Sequence, residues 1–164
     1  MLFISRRNSA RSVMAEAVVN HLGKGKFRAF SAAVEPTATV DPIAIEVLQH
    51  AGYSIEGLHP KHWQKFAGAM APVLDFVFTL SDTASRDVFP TWPGTPVSSH
   101  WRYPDPTKVT GEAWQRRREY AKTLSAIERQ MRIFMELSFD ALDRMALKKR
   151  LDEIAEHETA EAAG

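Results

Sequence analysis

Leu2-Phe3-Ile4-Ser5-Arg6-Arg7-Asn8-Ser9-Ala10-Arg11-Ser12 is the stretch on which the fold is decided. A short apolar run ends at Ser5, six polar or small residues turn the chain, and a helical pattern begins at Ser12, with Val13, Ala17, Val18 and Leu22 on one stripe. A tight turn between a strand's carboxyl end and a helix amino terminus gathers backbone N–H groups at one spot. The helix dipole adds about half a positive charge there, so the sequence predicts an anion site over Ser5–Ser12. Arg11 offers a planar fork for two oxygens of a phosphate-like group, while Asn8, Ser9 and Ser12 are suited to brace the loop. Arg6, Arg7 and Ala10 complete it.

Outward from the loop, short β-rich runs alternate with helical patterns, the signature of a parallel sheet with crossover helices. Strands are predicted at Met1–Ser5, Phe27–Ala32, Asp75–Leu80 and Val97–Trp101. Gly23 and Gly25 end the first helix, and a second follows the cap-and-proline pair Asp41-Pro42 with Ile43, Val47, Leu48 and Ala51 inward and Gly52 as its stop. From about Gly111 the chain becomes strongly helical, with Tyr120, Leu124, Ile127, Met131 and Phe134 on one face. Ser138 and Asp140 offer a cap or turn before a shorter helix carrying Leu147, Leu151 and Ile154, and the tail from His157 is expected to fray. This last helix either folds back on the domain or meets a protein partner, a second copy included.

Composition sets the outer bounds. The chain has 164 residues, 45% hydrophobic and 25% charged, enough for one core and short for two. A net charge of +1 argues against general affinity for nucleic acid or acidic membrane, and no apolar run reaches the ~20 residues of a membrane span. With no charged leader before the first strand, cytoplasmic residence is the expectation. The absence of cysteine removes disulfides, thiolate metal sites and thiol redox chemistry. His59 and His62 lie three apart but lack a third clustered ligand, and no nucleotide-binding glycine motif occurs, so neither a metal nor a cofactor is expected. His100 reads as a packed or hydrogen-bonded histidine rather than a base.

Displacement at phosphorus needs a nucleophile beneath the anion and an acid for the leaving oxygen. Asp105, stiffened within Tyr103-Pro104-Asp105-Pro106, is a credible acid, in a Pro90–Pro106 segment that holds five of the nine prolines. Ser5 occupies the place below the loop. A serine hydroxyl needs an adjacent base, and no histidine stands near Ser5 in the sequence.

Ser5 to Arg11-Ser12, Met14-Ala15-Glu16-Ala17, Phe30-Ser31-Ala32 with Glu35-Pro36, Phe76-Val77-Phe78 before Asp82, Trp92-Pro93-Gly94 and His100-Trp101 leading to Pro104-Asp105-Pro106 occur in an order that resembles the low-molecular-weight protein tyrosine phosphatase fold, arsenate reductase-like branch. The resemblance extends over Met1 to Phe139. It implies a single-domain α/β three-layer sandwich at 1–139, a four-stranded parallel sheet flanked by helices, with a C-terminal helical extension at 140–164. It also implies a catalytic cysteine at Ser5 and redox cysteines at Ser81 and Phe89; all three thiols are missing. Arg6 and Arg7 replace residues usually small in that loop, and Arg102 replaces another small one. These arginines either enlarge the site for a polyanionic ligand or fill the pocket and pair with Asp105. The expectation is a pseudoenzyme that binds phosphate, sulfate, arsenate or a phosphorylated partner without efficient turnover. The alternatives are a weak phosphomonoester hydrolase using Ser5 or water with Asp105 as acid, and an interaction module acting through the C-terminal helix.

Overall fold

The computed structural model describes residues 1–87, 89 and 91–163. Four strands, β1 (Leu2–Ser5), β2 (Phe30–Ala33), β3 (Phe76–Thr79) and β4 (Val97–His100), form one parallel sheet in the order β2-β1-β3-β4. The helices are α1 (Arg11–Leu22), α2 (Pro42–His50), α3 (Asp82–Ser85), α4 (Ala113–Met135) and α5 (Arg144–Ala163). Because β1 is bordered by β2 on one side and β3 on the other, successive crossovers leave it in opposite directions. In such sheets the crevice opens beyond the carboxyl end of the strand where the order reverses, which here is Ser5 and the loop after it.

Strand periodicity divides the interior. Phe3 and Phe78 face the larger core, built with Met14, Val18, Leu48, Tyr120, Ile127 and Phe134, and α1, α2, α4 and α5 all contribute to it. Leu2, Ile4 and Val77 face the opposite way, against Phe66, Leu74, Ala84 and Trp92, contributed by α3, a 3-10 turn at Trp63–Phe66 and loops. Helical structure thus flanks the sheet as the alternating pattern implies. Phe134 is fully buried and its ring lies 5.1 Å from Phe76, 5.7 Å from Phe78 and 5.2 Å from Phe139, which explains the apolar stripe of α4. Asp41 caps α2 by accepting from the Ile43 amide at 2.8 Å, as the Asp41-Pro42 pair predicts.

Two local expectations are corrected. The second strand starts at Phe30 rather than Phe27: the Phe27 ring turns into the core near Phe134 and Phe139, and the Asn20 side-chain amide bonds both backbone groups of Ala29 in place of a strand neighbour. The final helix is not short, and its tail does not fray from His157. It continues to Ala163, with Glu158 buried and accepting from Arg129 at 2.6 Å. Ser138 and Asp140 form the expected turn, a 3-10 turn over Phe139–Ala141, and Asp143 caps the helix, accepting from the Ala146 amide at 2.8 Å.

The apolar stripe of α5 folds back. Leu147, Leu151 and Ile154 are buried in the larger core, so a partner cannot be recruited through that stripe while the helix is docked. Among the described residues no helix is long and apolar enough to cross a membrane.

Candidate functional site

The loop between β1 and α1 is shaped by a strap at residues 35–41. The Arg6, Arg7 and Ser9 carbonyls accept from the amides of Glu35 (2.8 Å), Thr37 (3.1 Å) and Asp41 (2.9 Å). Each planar trans peptide sets its N–H opposite its C=O, so the amides of Arg7, Asn8 and Ala10 are directed away from the strap, toward the inside of the turn. The Asn8 amide shows this directly by donating to Ser5 Oγ at 3.1 Å. Asn8 holds the one conformation the turn requires, φ 53°, which asparagine tolerates better than most residues. Its side chain is fully buried: Nδ2 donates to Ser12 Oγ at 2.8 Å, and Oδ1 accepts from the Lys61 amide at 3.0 Å. No side chain caps the first turn of α1, where Ala10 stands at the cap position.

Arg11 is 9% exposed and reaches across the crevice. Nη1 donates to the carbonyls of Tyr103 at 3.0 Å and Leu80 at 3.5 Å, and Nη2 donates to Asp105 Oδ2 at 3.0 Å. Burial pulls the guanidinium pKa down while Asp105 and Asp82 oppose the shift, and an arginine so paired stays cationic. Asp105 is fixed by its other oxygen, which accepts from the Thr107 amide at 3.1 Å and hydroxyl at 2.7 Å.

Ser5 lies beneath this arrangement, 3% exposed. Its Oγ meets the Asn8 amide and, at 2.7 Å, Ser12 Oγ. Neither can accept the serine proton as a base does, so the hydroxyl is held but not activated.

One supporting group has no counterpart in the sequence reading. Lys61 Nζ lies 3.7 Å from Glu16 Oε2, both side chains nearly buried, and Ser31 Oγ donates to the same carboxylate oxygen. Burial raises the Glu16 pKa, against the bonds from Ser31 and Lys61, and lowers that of Lys61, against Glu16. The pair anchors the stretch whose backbone holds Asn8. Glu16 stands within Met14-Ala15-Glu16-Ala17, but nothing in the sequence around Lys61 announces a buried partner.

The remaining expected residues separate. Arg6 is exposed and lies 3.3 Å from Glu35, and Arg102 pairs with Asp82 at 3.1 Å, so neither fills the pocket by pairing with Asp105; Arg11 makes that bond instead. Arg7 is exposed at the loop, and Ser9 contributes its carbonyl to the strap. Ser81 caps α3, accepting from Ala84 at 3.3 Å, whereas the Phe89 ring packs on Trp63 and Trp92. His100 bonds Thr79 and lies 3.4 Å from Asp82, away from Ser5. Among the described residues no three histidine, aspartate or glutamate side chains cluster as metal ligands.

A parallel sheet with a strand–loop–helix turn at its switch point, an arginine at the start of the helix and an aspartate arriving from the far loop place the chain in the α/β class. Residues 1–150 match the family model described as low molecular weight phosphotyrosine protein phosphatase, and the chain belongs to that family. It is 30% identical over 106 residues to a glutaredoxin arsenate reductase of Synechocystis sp., an alignment covering 65% of this chain and 77% of that protein. Among solved structures it is similar to an arsenate reductase of Archaeoglobus fulgidus (TM-score 0.59, 27% identity, 78% of this chain and 95% of that one). It also shares its fold with a low molecular weight phosphotyrosine phosphatase of Vibrio cholerae (TM-score 0.61, 19% identity, 82% of this chain and 95% of that one).

Proposed function

We propose that this chain is a non-catalytic member of its family that holds a phosphate-like oxyanion, free or carried on a ligand, in the Ser5–Ser12 loop. The observation that carries the reading is Ser5 itself: its hydroxyl is fixed between the Asn8 amide and Ser12, with no base bonded to it among the described residues, on the floor of a loop whose amides turn inward. Phosphate, sulfate and arsenate share the tetrahedral oxygens that such amides and Arg11 complement. The reading of a weak hydrolase is less well supported, because the Asp105 carboxylate is already engaged with Arg11 and Thr107 and would have to be released and protonated to serve as an acid.

The test is a titration with phosphate, sulfate and arsenate followed by thermal unfolding, comparing the chain with Arg11→Ala. Binding that discriminates the native state adds about 2.7 kcal/mol at ~100 times the dissociation constant. A saturable rise in Tm that disappears with Arg11→Ala is the expected result. No Arg11-dependent rise for any of the three anions overturns the reading.

A further inference from the structure

Three alternate residues of the extended segment from β4 to Asp105 are fastened to α5. Ser99 Oγ donates to Asp152 Oδ1 at 2.7 Å, and Trp101 Nε1 donates to the Leu151 carbonyl at 3.0 Å. The third link is indirect. The Tyr103 hydroxyl donates to Gln130 Oε1 on α4, and Gln130 Nε2 donates to the Ile154 carbonyl on α5 at 3.1 Å. The partners fix the amide's orientation, since the Ile154 carbonyl can only accept and the buried phenol donates. Tyr103 and Gln130 are each 2% exposed, and burial drives the Tyr103 pKa well above its ordinary 10.0, so the hydroxyl keeps its proton.

The backbone carbonyl of that same Tyr103 accepts from Arg11 Nη1 at 3.0 Å. Buried hydrogen bonds joined through the covalent frames of Gln130 and Tyr103 therefore connect α5 to the guanidinium at the loop. A guanidinium has five N–H groups. Among the described residues three are taken by Leu80, Tyr103 and Asp105, which leaves two, Nε–H among them, as many as a bidentate bond to one oxyanion needs.

We propose that Gln130 and Tyr103 are positioning residues through which the C-terminal helix holds Arg11 in the attitude that receives an oxyanion. The inference rests on the reading of the Ser5–Ser12 loop as an anion site. It makes α5 part of the binding apparatus although no residue of α5 touches the loop's own hydrogen-bond network among the described residues.

The test uses the full chain with Tyr103→Phe and Gln130→Met, which interrupt the chain of bonds while keeping the packed volume. Inorganic phosphate is titrated calorimetrically, and the Arg11 guanidinium is followed by nitrogen NMR, where hindered rotation keeps its two Nη signals apart. Both variants are expected to bind phosphate about tenfold more weakly, the scale of one displaced hydrogen bond, with the Arg11 signals merging. Ile154→Val loosens the same helix without altering its carbonyl and is expected to lower Tm at unchanged affinity. Unchanged or tighter binding in Tyr103→Phe and Gln130→Met, or an equal loss in Ile154→Val, overturns the proposal. If one of the two fails to fold, the other decides. Should the unaltered protein take no phosphate, it is the anion-site reading that fails, and the NMR signals still decide the relay: merging in the variants supports it, persistence overturns it.

Discussion

Arg11 Nη2 donates to Asp105 Oδ2 at 3.0 Å across 94 residues of sequence, joining the first turn of α1 to the loop beyond β4. The pair neutralises a buried cation that an incoming anion also seeks. Asp105→Asn keeps an acceptor for Arg11 and removes the competing charge. Unfolding in urea is expected to show a loss of about 1–3 kcal/mol. Phosphate affinity is expected to rise several-fold in the same variant; a fall would mean that the charge of Asp105 is needed to aim Arg11.

Asn8 combines a left-handed backbone with two buried side-chain bonds. Asn8→Ala is expected to cost about 2–4 kcal/mol, and Asn8→Gly roughly 1 kcal/mol less because glycine relieves the backbone while losing the same bonds. Equal losses in the two variants, measured by chemical denaturation, would show that the backbone conformation contributes nothing.

Ser5→Cys returns a thiol to a loop of inward amides beside Arg11, an environment that favours the thiolate. Hydrolysis of a generic aryl phosphate is expected to appear with this change and to vanish when Arg11→Ala is added. Absence of any turnover would indicate that the Arg11–Asp105 pair holds the site in a non-reactive arrangement.

Glu16 titrates against its burial. Its folded pKa is raised above the ordinary 4.5, mainly by desolvation, so its contribution to stability is fully present below that value and is lost as pH rises through the raised folded pKa. Glu16→Gln removes this dependence. The unfolding free energy of the unaltered chain, compared with Glu16→Gln, is expected to decline as pH rises above 4.5 toward neutrality. Parallel profiles would contradict the assignment.

The C-terminal helix belongs to the core. Leu151 is fully buried and Lys149 is exposed, so Leu151→Ala is expected to lower stability by about 2–5 kcal/mol and Lys149→Ala by less than about 0.5 kcal/mol. A negligible loss for Leu151→Ala would detach α5 from the domain and return it to the role of a docking element.

Local sequence by itself determined the strand–loop–helix unit at Ser5–Ser12, the cap at Asp41, the buried stripe of α4 and the parallel alternation, because each depends on periodicity or on groups a few residues apart. The same locality explains where it fell short. Phe27 has the composition of a strand residue, yet a ring pocket made by Phe134 and Phe139 drew it inward. The tail beyond His157 looks solvated in sequence, yet Arg129 holds Glu158. Only the tertiary structure decided which arginine meets Asp105, that Lys61 lies against Glu16, and that Gln130 ties α5 to Tyr103. Those contacts join residues 24 to 94 positions apart, and their geometry is set by how the sheet stacks its helices, a quantity no local pattern contains.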